Sequence, residues 1–323
     1  MTMGSELRDQ YRDRLPTFKR LEEEVRFSVE AALRNRHIKV HAIQSRVKTL
    51  DSFIEKVERK EYADAFNDVP DIVGIRIVCL FLSDLRKIGD ALRDVFEVTS
   101  EENKIENEDV ASFGYMSIHY ICQLGDANSG PRYNSIKDLQ FEVQVRTIVM
   151  DAWANVSHHL DYKGEASIPR QLRRDFHALS GLFYVADQHF ELFVREAADA
   201  ERDAIRDVAN ENLDDVDLNV ETLTAYLRAR YPDRNSTTKM VMSEFVEALA
   251  LTGFKTIGSL DAAMREAEPI SLAFEKDRSE RNKNYRLTAV GMVNVGIRQL
   301  YPEYSENRRR IQSERVGRDK HDQ

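Results

Sequence analysis

Residues 139–147 read LQFEVQVRT, and the alternation inside this stretch decides the fold. Phe141, Val143 and Val145 alternate with Glu142, Gln144 and Arg146. A period of two belongs to a β-strand with one apolar and one polar face. A carboxylate, an amide and a guanidinium on that polar face suit a site that holds a metal and phosphates. They are an odd choice for a face that meets only water. After Thr147 the period turns helical, through Trp153 to Tyr162. The strand therefore delivers its polar side chains at a fixed edge, beside a helix start.

Working outward, Ile72 to Leu82 is a β-branched apolar run, expected as a buried strand after a turn at Asp68-Val69-Pro70-Asp71. Ser83-Asp84 is an N-cap pair for a helix ending near Asp94. A short strand over 95–100, an acidic loop over 101–109 and a strand over 115–124 follow. Upstream, Leu15, Phe18, Leu21 and Val25 keep helical spacing in a helix over 5–35, and a second helix is expected over 41–61. Helices from 147 and over 169–208 close this part. Residues 1–208 thus read as an α+β domain, a mixed β-sheet flanked by helices. Beyond 209 the strand signals vanish. Short helices are expected over 219–230, 239–251, 258–267 and 289–300, punctuated by Pro232, Gly253, Gly258 and Pro269. Residues 209–323 form a helical C-terminal extension of undefined role, ending in a polar tail expected to fray.

The formal charge of the 323-residue chain is −9. Proteins that coat nucleic acid non-specifically are usually basic, so any such contact here needs a local patch. No apolar run reaches bilayer length, and the start MTMGSELRDQYRDRL has no apolar h-region. A cytoplasmic protein with no membrane partner is expected. Cys79 and Cys122 sit in apolar runs, where they should pack as small hydrophobes.

Residues 46–60 read RVKTLDSFIEKVERK. At helical spacing Lys48, Ser52, Lys56 and Arg59 share one face, opposite Val47, Leu50, Ile54 and Val57. A solvated amphipathic helix usually mixes charge signs on its outer face. A row of cations broken only by a small hydroxyl instead matches a polyphosphate along its length. Arg46, at the entry, has the planar group that stacks on a base. Asp71 precedes the first core strand in DIVGIR (71–76). Acids at the ends of neighbouring strands, here Asp71 and Glu142, can hold Mg²⁺ against a nucleotide. One of them can also take a proton from an attacking hydroxyl. The competing reading is a helix cap for Asp71 and a salt bridge for Glu142.

Four blocks, in order, resemble the RelA/SpoT-type nucleotide pyrophosphokinases, specifically the small alarmone synthetases. They are R-x-K-x-x-x-S-x-x-x-K-x-x-R-K at 46–60, D-I-x-G-x-R-I at 71–77, F-G-Y-x-S-x-H at 113–119, and E-V-Q-V-R-T with W-A-x-x-x-H-x-x-x-Y-K at 142–163. The resemblance implies a nucleotidyltransferase-like synthetase core. It implies transfer of the β,γ-pyrophosphate of ATP to the ribose 3′-hydroxyl of GDP or GTP, with Mg²⁺. By matching position, Arg46 and Arg76 would sandwich the adenine, and Lys48, Ser52, Lys56 and Arg59 would hold the triphosphate. Asp71 and Glu142 would serve the metal, with Glu142 also the base. Tyr115 would stack on the acceptor base, and His119, Gln144 and Arg146 would line the acceptor side. Members of the family often form homo-oligomers. The long members carry a hydrolase domain ahead of the synthetase. Only about forty residues precede the first block here, and they hold no adjacent His-Asp pair, so no hydrolase is expected.

Three departures fall on the acceptor side. Lys104 is the only cation in SEENKIENEDVASFGY (100–115), where many members place lysines. Met116 stands where an arginine is common, and Ser157 where an acid usually precedes the histidine. The acceptor set therefore includes GMP, an adenine nucleotide and the 3′ end of tRNA, the last as in the toxin branch. A third reading is a module that binds nucleotide without catalysis.

Overall fold

The structure, a computed structural model, describes residues 3–62, 64–105, 117–125, 128–161, 169–210, 212–235 and 237–319. The chain divides into two compact units, Met1–Phe193 and Val194–Gln323. In the first, the elements run α1 (Met3–Asn35), β1 (Ala42–Val47), α2 (Leu50–Lys60), α3 (Ala65–Asp68), β2 (Val73–Cys79), α4 (Leu82–Val95), β3 (Phe96–Asn103), β4 (Ile118–Leu124), β5 (Phe141–Thr147) and α5 (Ile148–Asp161). The long helix α6 (Arg173–Asn210) contains the division between the units.

The five strands form one sheet in the order β1-β2-β5-β4-β3. Only β2 and β5 are parallel among these neighbours; the other three pairs are antiparallel. The expected mixed sheet flanked by helices is therefore present. Register gives it two faces, because directly paired residues point to the same side. One row across the sheet reads Ile43, Ile77, Val145 and Ile118, and the next reads Ser45, Ile75, Val143 and Tyr120. Helices α1 and α4 pack on the strands, and Leu21, Val25, Val29, Ile88 and Leu92 join this apolar face in a single buried core. Gly89 on α4 lets that helix press against the Tyr120 hydroxyl, a place no Cβ could occupy without displacement. The opposite face is polar. Its rows read Gln44, Arg76, Gln144, His119 and Glu102, and Arg46, Gly74, Glu142, Ile121 and Ser100.

The second helix expected over 41–61 is two elements. Residues 42–47 pair antiparallel with β2, and α2 begins only after Thr49, whose hydroxyl accepts from the Ser52 amide as an N-cap. Tertiary pairing with β2 wins over local helical spacing in a stretch whose Ile43, Ser45 and Val47 also alternate as a strand does.

In the second unit, α7 (Val220–Arg230), α8 (Lys239–Leu251), α9 (Ile257–Arg281), α10 (Ala289–Leu300) and α11 (Pro302–Asp319) surround a separate core that includes Leu223, Phe245, Leu260, Met264, Val293 and Ile297. Two expectations fail here. Pro269 does not end a helix, because α9 runs through it. The proline lies on the exposed side, while Leu260, Met264, Ala267 and Ser271 keep the other side buried. The polar C-terminus is not frayed over residues 302–319 but forms α11. Tyr304 and Ile311, seven residues apart on one helical face, are buried in the core. Cys79 and Cys122 are buried and unbridged. Among the described residues no helix is long and apolar enough to cross a membrane.

Candidate functional site

The polar sheet face opens into a pocket of about 140 Å³ lined by Gln44, Ser45, Arg46, Asp71, Gly74, Ile75, Arg76, Glu142 and Gln144. The register explains the grouping. Gly74 lies between Arg46 on β1 and Glu142 on β5, so the row has a gap where a side chain would otherwise stand. The nearest atoms to a Cβ at Gly74 belong to the Arg46 side chain, at 3.9 Å.

Asp71 reaches the pocket from the turn before β2. The β1–β2 ladder continues past its last strand pair, with Lys48 N donating to Ile72 O at 2.8 Å, which sets Lys48 next to Asp71. The Tyr11 hydroxyl on α1 holds the Lys48 carbonyl from below. Lys48 Nζ lies 3.0 Å from Asp71 Oδ2 and Lys56 Nζ 2.8 Å from Oδ1. Burial pushes the Asp71 carboxyl up, and the two ammoniums more than reverse it, so it stays below the ordinary carboxylate value. Oδ1 meets Lys56 as an ion pair off hydrogen-bond geometry, so this buried oxygen keeps a lone pair.

Glu142 is clamped on both oxygens. His119 Nδ1 lies 2.7 Å from Oε1, and Gln144 Nε2 donates to Oε2 at 2.7 Å. Burial raises the Glu142 carboxyl, but the His119 and Gln144 hydrogen bonds outweigh it, against a small push from nearby Asp71, and leave it below its ordinary value. An ionised carboxylate accepts only, so Nδ1 of His119 donates to it, and His119 Nε2 lies 2.7 Å from Ser117 Oγ. Gln144 is fixed in turn by Arg146 Nη2, which donates to its Oε1 at 2.9 Å. Arg146 is 1 % exposed and sits, with Arg76, against Asp151 Oδ1 at 3.6 and 3.5 Å.

The structure thus brings Arg46, Lys48, Lys56, Asp71, Arg76, Glu142 and Gln144 together. His119 and Arg146 stand beside and behind them, engaged with protein partners. Ser52 and Arg59 are exposed, and Ser52 serves the cap of α2 rather than the pocket. Tyr115 and Met116 lie outside the described residues. Three contributors were missed. Gln44 and Ser45 line the pocket because residues 42–47 are a strand. Asp151, the anchor of both arginines, is an acid in the first turn of α5, and that position after R-T was the available signal.

Asp71 and Glu142 fit a divalent metal. Both line one pocket, both are held ionised, they sense each other's charge, and Asp71 keeps a buried oxygen off hydrogen-bond geometry. Oxygen donors of this kind suit Mg²⁺.

Residues 45–167 match the family described as the region found in RelA / SpoT proteins. The chain is 27% identical over 165 residues to the GTP pyrophosphokinase YwaC of Bacillus subtilis, spanning 50% of this chain and 77% of that protein. It is 29% identical over 141 residues to YjbM of the same organism, also a GTP pyrophosphokinase, spanning 42% and 64%. The solved small alarmone synthetase 1 of B. subtilis has the same fold, with a TM-score of 0.51 at 23% identity over 59% of this chain and 99% of that one. The same enzyme bound to its product pppGpp gives a TM-score of 0.51 at 24% identity, with the same coverage. Residues 45–167, on the sheet that carries Asp71 and Glu142, thus match the region found in RelA / SpoT proteins and are similar to the GTP pyrophosphokinases YwaC and YjbM.

Proposed function

We propose that the chain moves the β,γ-pyrophosphate of ATP onto the ribose 3′-hydroxyl of a guanine nucleotide. The observation that carries this reading is the convergence of Lys48 and Lys56 on Asp71 in the pocket that also holds Glu142, Arg46 and Arg76. A triphosphate entering there meets two close-set ammoniums, and two guanidinium planes for a base. The guanine acceptor is supported by the relatives, named GTP pyrophosphokinases, and by the pppGpp product of the structural neighbour.

In the proposed reaction the 3′-oxygen forms a bond to the β-phosphorus of ATP. The bond from that phosphorus to the α–β bridging oxygen breaks, AMP leaves, and the hydroxyl proton passes to Glu142. Mg²⁺ bound by Asp71 and Glu142 would neutralise charge on the phosphate oxygens. Lys48 and Lys56 exchange Asp71 for those oxygens. His119 and Gln144 hold the two carboxylate oxygens of Glu142.

The test supplies Mg²⁺ and ATP labelled in the β,γ-phosphates, with GMP, GDP, GTP, ADP and bulk tRNA offered separately. Label on a guanine nucleotide is the expected result. Label on tRNA alone, or on none with ATP still bound, would replace this reading by the toxin or the binding-module alternative. Glu142→Gln should lower transfer by about a thousandfold or more while ATP still binds; retained turnover would remove Glu142 from the chemistry.

A further inference from the structure

Arg76 and Arg146 stand on the polar face of neighbouring parallel strands. The register pairs Arg76 with Gln144, so Arg146 lies one step further along the same side of β5. Two guanidiniums this close repel unless an acid sits between them. Asp151 supplies it: Oδ1 lies 3.5 Å from Arg76 Nη1 and 3.6 Å from Arg146 Nη1. The carboxylate is itself held, because Asn155, one turn on, donates to its Oδ2 at 3.0 Å. It also stands in the first turn of α5, the end of a helix that favours a negative charge. From Asp151 each guanidinium leads to a different part of the pocket. Arg76 lines it directly. Arg146 acts at two removes. A guanidinium only donates, so its bond to Gln144 must use the amide oxygen, which leaves the amide nitrogen to face Glu142. Turned over, the same amide would set its oxygen against the carboxylate.

Resting on the synthetase reading above, we infer that Asp151 is a positioning residue for both halves of the reaction: it sets the Arg76 guanidinium for the base of ATP, and through Arg146 and Gln144 it sets the Glu142 carboxylate for the attacking hydroxyl. Among the described residues Asp151 is outside the pocket lining, so a change there reaches the chemistry through the two arginines. A shift of about 1 Å in a reacting group costs up to about a hundredfold in rate.

The full-length protein is assayed with Mg²⁺-ATP and the fastest of GMP, GDP and GTP as acceptor. Binding of α,β-methylene ATP, in which a carbon replaces the oxygen of the bond that breaks, is measured by calorimetry beside it. Asp151→Asn keeps the side-chain shape and removes the charge. It should lower kcat by about tenfold and weaken the analogue by about fivefold. Asp151→Glu, which keeps the charge one carbon further out, should recover part of both. The two effects should separate in double variants. In an Arg76→Ala background, Asp151→Asn should no longer alter analogue binding but should still lower kcat. In a Gln144→Ala background it should no longer lower kcat but should still weaken the analogue. If Asp151→Asn does not fold, Asp151→Glu is read in the same two backgrounds. Effects that simply add in both backgrounds, or a folded variant with kcat and analogue binding unchanged, overturn the inference and leave Asp151 a structural counter-charge. Absence of transfer by the unaltered chain to all three nucleotides overturns the synthetase reading itself, and the inference with it.

Discussion

At the scale of single residues, the site is built from charges that hold one another ionised. Asp71 and Glu142 lie below their ordinary values of 3.8 and 4.5. A carboxyl lowered in the folded state adds stability above its unfolded value and loses it as pH falls through the lowered one. That contribution disappears only in acid, outside any working range. Glu142 depends most on His119. Replacing His119 by Ala removes a donor to the ionised form, so the Glu142 carboxyl should rise. The acid limb of the kcat profile should then move to higher pH, with kcat down by about tenfold to a hundredfold and the KM for ATP unchanged. His119→Gln, which can still donate, should recover part of both. A pH profile that stays in place while kcat falls would mean that His119 contributes packing alone.

At the scale of elements, the sheet places the site and the helices tension it. Thr147 ends β5 and ties two helices together. Its hydroxyl accepts from Met150 N in α5 at 3.1 Å and donates to Asp187 Oδ2 in α6 at 2.7 Å. Asp187 is buried, its Oδ1 lacks a hydrogen bond, and burial pushes its carboxyl up to about 6, against the Thr147 bond and with help from Glu191. A carboxyl raised in the folded state binds a proton that the unfolded chain releases, so stability falls as pH climbs from about 4 to about 6. Asp187→Asn keeps an acceptor for Thr147 and removes the buried charge. Thermal melts should show the variant more stable by about 2 kcal/mol near pH 8, with the difference gone near pH 4. An equal or lower melting temperature at the higher pH would show that the charge is compensated.

At the scale of the whole molecule, two cores imply two folding units. The second core is closed by its own helices, with α10 seated tightly on α9 where Gly296 meets Ala267 and Ser271. The Ser271 hydroxyl donates to Met292 O at 2.6 Å across that contact. Tyr226 and Arg230 share Asp261 at 2.8 and 2.6 Å, a buried polar set fully served within the unit. Residues 194–323 expressed alone should therefore unfold cooperatively by circular dichroism. A gradual, non-cooperative loss of helix would show that this unit borrows its stability from the rest of the chain.

The strand over 141–147, the buried strand of β2 and the acids at their ends were legible in the sequence, because a period of two and a β-branched run are local properties. The order of the four blocks was enough to resemble a family and its chemistry. Residues 42–47 were not legible, since the same letters satisfy helical and strand spacing and only pairing with β2 chooses between them. That choice put Gln44 and Ser45 at the pocket. The partners of Glu142 and Arg146 were equally hidden. His119 and Asp151 come from separate elements, and contact between residues distant in sequence is fixed by sheet register and helix packing, which no local period encodes.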